Sequence, residues 1–126
     1  MNGIMFEAHP AVCAKKESLT FKNPIPAGVL QQKIDTFLLE LTSSLQNDGC
    51  KLIGHIKGML GIEGNDHLFF SLTSFDEKIR YKGELSGTVE KTELTINVIV
   101  YGIEQTKIAC HLDEGLDKHF SVQQLI

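Results

Sequence analysis

The sequence predicts an α+β fold: an antiparallel β-sheet in β-α-β-β-β-β-α order, with two helices packed on one face. A stretch from Pro26 to Gln46 carries apolar residues at helical steps, and four alternating segments follow it. The last of these, TELTINVIVYGI, runs straight into a second amphipathic stretch, TKIACHLDEGLDKHF. Strands of this kind need one face covered, and two amphipathic helices supply the cover.

Residues 1–12 show no clean period and are expected to form an N-terminal arm. From Glu17 to Lys22, Leu19 and Phe21 alternate with Ser18, Thr20 and Lys22, which is the period of a half-buried strand. Asn23, Pro24 and Pro26 should stop it, and Pro26 suits a first helical turn, where its missing N–H would be unpaired anyway. The helix is expected from about Pro26 to Gln46, because Leu30, Ile34, Phe37, Leu38, Leu41 and Leu45 share one face. Gln31, Gln32, Asp35, Glu40 and Thr42 line much of the other, and Gly49 suits a left-handed cap beyond the end.

Four strands follow at about 51–62, 67–74, 79–86 and 92–103, joined by short polar turns as a meander. Leu52, Gly54, Ile56, Gly58, Leu60 and Ile62 are assigned to the core face of the first, where the glycines suggest that the long helix presses close. Opposing residues must share a face, which sets Ile62 against Leu68, Leu72 against Ile79 and Leu85 against Leu94. The final helix, from about Gln105 to Phe120, has an i, i+4 stripe of Ile108, Leu112, Leu116 and Phe120. Gly115 weakens it by about 1 kcal/mol relative to alanine.

A chain of 126 residues is long enough for one core and too short for two independent ones. The expected organisation is a single domain: the arm, an α+β unit over 13–120, and a tail over 121–126. A formal net charge of −4 and no Lys/Arg-rich run argue against a nucleic-acid partner. No apolar run approaches the roughly 18 residues of a membrane span. The N-terminus lacks the pattern of a secretory leader, so a cytoplasmic location is expected. Cys13, Cys50 and Cys110 form no CxxC pair and are expected to be free buried thiols.

The segment FKNPIPAGVLQQKIDTFLLEL, the strand bearing Lys57-Gly58, and VIVYGI leading into the final helix resemble the C-terminal domain of CobW-type GTPases. These are metallochaperone-like proteins associated with cobalamin and other metal pathways. The resemblance covers roughly residues 15 to 120 and implies the accessory domain without its GTPase domain. The family's nucleotide-binding machinery and its cysteine metal motif belong to that other domain, and nothing here resembles GxxxxGK[ST], so no catalytic position carries over. Met59 and Leu60 stand where the family has aromatic residues after Lys-Gly, and the histidine-rich stretch of some members is absent.

With both helices on one side, the other side of the sheet should carry His55, Lys57, Met59, His67, Phe69, Arg80, Lys82, Glu84, Asn97, Ile99 and Tyr101. The apolar members, Met59, Phe69, Ile99 and Tyr101, have three explanations: cross-strand stabilisation, a second copy, or a docked partner protein. The expected register also gathers Glu63, His67, Glu84 and Thr95 into one row. A histidine between two carboxylates is a candidate site for zinc or cobalt, and equally a solvated salt-bridge ladder. No other cofactor is expected. His55 should lie far from His67, and His111 and His119 should be independent surface or boundary residues.

No local signature supplies a nucleophile beside a base. The function expected is therefore a non-catalytic interaction or regulatory module, docking on a separate GTPase, a metal- or cobalamin-pathway protein or a second copy through Met59, Phe69, Ile99 and Tyr101. The alternative is direct binding of a metal ion or small metal-containing ligand at Glu63, His67 and Glu84.

Overall fold

The computed structural model describes residues 9–62 and 66–120. Its elements run β1 (Ala11–Pro26), α1 (Ala27–Asn47), β2 (Leu52–Gly61), β3 (His67–Leu72), β4 (Arg80–Glu84), β5 (Thr88–Tyr101) and α2 (Gln105–Phe120), in the expected order. The expected arm lies largely outside the described residues, but Ala11 and Val12 are already part of β1.

β1 is much longer than the six residues its alternation marks. Ala11 to Thr20 pair with Val100 to Lys91, and after an irregularity the pairing resumes at Ile25 and Pro26. The prolines do not stop the strand because β1 is the sheet's edge, where a proline at a bulge forfeits no ladder bond. Pro26 stands just before α1, at the N-cap position and without a side-chain cap bond. At the far end of α1, Gly49 adopts φ 107° and the Cys50 N–H donates to the Leu45 carbonyl over 2.9 Å, so the cap expected there forms.

The five strands lie in the order β1-β5-β2-β3-β4, all antiparallel. This corrects the meander. β2, β3 and β4 do follow one another, but β5 crosses back to lie between β1 and β2, so Leu85 has no partner in Leu94. Instead Leu60 lies opposite both Leu68 and Leu94, two residues from the expected Ile62–Leu68 register but on the same face. The physical reason lies in burial: Leu94, Ile96, Val98 and Val100 need neighbours on both sides, whereas the mostly exposed β4 tolerates an edge. The connection from β4 passes the β2–β3 end, where the Ser86 hydroxyl donates to Asp66 over 3.0 Å.

β2 carries a bulge between Ile53 and His55. It reverses the expected facing of its first residues, burying Ile53 and leaving Leu52 57% exposed. From Ile56 onward the alternation is as expected. Gly58 does lie on the core face, but the close neighbour is the Phe70 ring and the Thr95 carbonyl rather than the long helix.

Both helices cover one face. Leu30, Ile34, Phe37, Leu38, Leu41 and Leu45 of α1 and Ile108, Leu112, Leu116 and Phe120 of α2 join the strands' inner residues in a single core. Polar ties anchor the layer at each end: the Lys15 ammonium donates to Asp113 over 2.6 Å from β1 to α2, and the Tyr81 hydroxyl donates to Asp35 over 2.6 Å from β4 to α1.

Candidate functional site

Every residue expected on the sheet's open face lies there, since each pairs with a residue of the same face across the ladder. The strand order then fixes rows that sequence alone leaves undetermined. Ala14, Asn97, Lys57, Ser71 and Arg80 form one row across the sheet. Lys16, Thr95, Met59, Phe69 and Lys82 form the next, and Ser18, Glu93, Gly61, His67 and Glu84 the one after.

The four proposed contact residues fall into two groups. Met59 and Phe69 are directly opposed, with Phe69 47% exposed and its ring stacked on His67 at 6.2 Å. Ile99 pairs with Val12 and His55, while Tyr101 pairs with Leu52. The bulge at Gly54 lets Ile99 and Tyr101 fold over it, so that a Cβ there would sit 3.2 Å from Ile99 Cγ2 and 3.4 Å from Tyr101 Cε1. Ile99 lies four residues along β5 from Thr95, the neighbour of Met59, a gap of about 14 Å along the strand. The Asn97–Lys57–Arg80 row fills it with polar side chains.

Two exposed apolar residues of the second group escape sequence reading. Val12, 41% exposed, sits in AVCAKK, where apolar residues on both faces erase the period of two. Leu52 is turned outward only by the bulge, for which the available signal is a glycine inside a strand.

The metal candidates are only partly gathered. His67 lies directly opposite Glu84 on β3 and β4, as expected. Glu63 lies outside the described residues. Thr95 belongs one row away, opposite Met59, because β5 pairs with β2 and not β4. Glu93, a residue not foreseen in this row, reaches it instead through Gly61. Among the described residues no group of three or more His, Cys, Asp or Glu is placed to hold a metal ion. His55 is six residues along β2 from Gly61, so it stands roughly 20 Å from the His67 row.

The helix histidines are half-buried boundary residues, independent of each other, and each has its own carboxylate partner. His111 Nε2 is 2.9 Å from Asp48 Oδ2, which also accepts at Oδ1 from Lys107 over 3.3 Å. His119 Nε2 is 3.1 Å from Glu40 Oε1, shared with Lys118 at 2.9 Å. These contacts hold both carboxyls below their usual range, with the hydrogen bond from His111 the largest cause for Asp48 and that from Lys118 for Glu40. All three thiols are free, but only Cys50 is buried, Cys13 being half-buried and Cys110 exposed. Burial pushes the Cys13 and Cys50 thiols up, away from the thiolate form a nucleophile requires.

Shallow depressions of about 400 to 500 Å³ mark the open face. Lys57, Phe69, Ser71, Arg80 and Lys82 line one, and Ser18, Met59, Gly61, His67 and Glu93 line another. Such surfaces suit contact with another macromolecule better than enclosure of a small substrate. Among the described residues no helix is long and apolar enough to cross a membrane.

No protein-family model and no curated protein matches the chain. Among solved structures it is similar to the Zn(II)-bound YjiA GTPase from E. coli and to a Zn(II)-bound triple mutant of the same protein. Each comparison gives a TM-score of 0.40 and 17% identity, over 82% of this chain and 29% of that one. YjiA is a CobW-family GTPase, the family the sequence resembles. A likeness of this degree assigns no residue a role.

Proposed function

We propose that this chain is a non-catalytic protein-interaction module and that the open face of its sheet is the docking surface. The observation that carries the reading is Phe69, 47% exposed beside the half-buried Met59 on a face that neither helix covers. A large exposed ring in a well-ordered strand gains by being covered, and aromatic and methionine side chains are enriched where proteins meet. The resemblance to the CobW accessory domain suggests a GTPase or another protein of a metal or cobalamin pathway as partner, with a second copy of the chain as the other candidate.

Sedimentation of the purified protein, and its capture of partners from native extract, test the reading when wild type is set against Phe69→Asp and Tyr101→Glu. The two changes address the two groups separately. Loss of association in either variant, with an unaltered thermal melt, supports the surface and says which group makes the contact. Association that survives both changes removes this face.

A further inference from the structure

Three cations surround the exposed ring. Lys57 lies opposite Ser71, which lies opposite Arg80, while Phe69 lies opposite Lys82. Strand spacing places the three backbones within about 12 Å of one another. Lys57, Arg80 and Lys82 are all exposed, and among the described residues none has a carboxylate within salt-bridge distance. Lys16 on the same face differs, being 3.8 Å from Glu93. The rows holding these residues contain no acid at all; Glu93 and Glu84 both fall in the row beyond. In a chain of net charge −4 this is a local reversal of sign.

We propose that the occupant of this face is a short acidic segment of a partner protein, its carboxylates on Lys57, Arg80 and Lys82 and an apolar side chain on Phe69. This rests on the interaction-module reading above. Like charges held this close repel one another, and an anion between them relieves that repulsion. Ser71 supplies a small hydroxyl floor to the depression the cations line, so a carboxylate reaches all three without displacing a large side chain. A long polyanion fits less well, since the chain as a whole carries a net charge of −4 and repels it. Stacking of successive bases also needs more than one open ring, and the two rows that hold the patch contain a single aromatic residue, Phe69.

The test measures fluorescence anisotropy of a labelled peptide of glutamates with one central leucine, against its lysine counterpart and an oligothymidylate. The acidic peptide is expected to bind best, less tightly as salt rises, and to lose at least about tenfold in affinity to a Lys57→Gln/Arg80→Gln/Lys82→Gln variant. Lys33→Gln on α1 should bind as wild type does. Equal binding of the lysine peptide, tighter binding of the oligothymidylate, no binding of the acidic peptide, or undiminished binding by the triple variant overturns the proposal. If Phe69→Asp abolishes association with the native partner while the triple variant keeps it, the docking face stands and the acidic occupant falls. If both keep it, the acidic occupant falls, and the docking face stands only if Tyr101→Glu abolishes association.

Discussion

Tyr81 shows how one side chain can join two layers that the sequence presents separately. Its ring packs against the core from β4, and its hydroxyl donates to Asp35 on α1 over 2.6 Å. Burial first, and the Asp35 carboxylate second, push the phenol's pKa up, so it stays a neutral donor throughout the working pH range. Replacing Tyr81 with Phe removes the donor and leaves Asp35 half-buried with one partner fewer. A loss of about 1.5 to 2 kcal/mol is expected, the lower part of the range for a bond to a charged acceptor. Urea unfolding of Tyr81→Phe against wild type checks it, and an unchanged midpoint would mean the bond contributes nothing net. Placing Tyr81 on the inner face was within reach of alternation. Pairing it with Asp35 was not, because Asp35 reads as a residue of the helix's polar side until the position of α1 over β4 is known.

Helix–helix packing turns on Gly115. Read locally, it is a weak point that costs α2 about 1 kcal/mol. In the fold it is where α2 meets α1, since a Cβ there would sit 2.8 Å from Phe37 Cε1. Phe37 is fully buried and edged by the rings of His119 and Phe120, at 6.2 and 6.0 Å, so it has little room to yield. Gly115→Ala should therefore destabilise despite its better helix propensity, because overpacking costs about 1 to 3 kcal/mol and outweighs the gain. A melting temperature at or above wild type would show that Phe37 can move. The elements themselves were legible wherever one period ruled: the α1 stripe, the α2 stripe, and β3. They were misjudged where a tertiary neighbour overrode the local signal, as when the edge position of β1 let it run on through Pro24 and Pro26. The same holds for the open face. Its membership followed from alternation, but its grouping required the strand order, which no local period encodes.

At the scale of the whole molecule, the sheet order makes β5 the spine and leaves the helical layer to be fastened across the core. The apolar stripes and the Lys15–Asp113 and Tyr81–Asp35 ties do this, and two charged clusters at the α1–α2 junction join the helices to each other. Asp48 holds His111 and Lys107, and Glu40 holds Lys118 and His119, so each acid of α1 or its cap takes two cationic or imidazole partners from α2. Both carboxyls have folded pKa values below their ordinary ones. A group depressed in this way binds its proton more readily in the unfolded chain, so its stabilisation is fully present above the unfolded pKa. It is lost as pH falls through the folded value, which places the loss below about pH 4.5 for Glu40 and below about pH 4 for Asp48. The Glu40→Gln/Asp48→Asn variant should accordingly be less stable than wild type at pH 7. It should also lose less of its stability on acidification from pH 6 to pH 2. Thermal melts of both proteins across that interval check the sign. Parallel acid limbs would mean that these two carboxyls do not set the acid sensitivity of the fold.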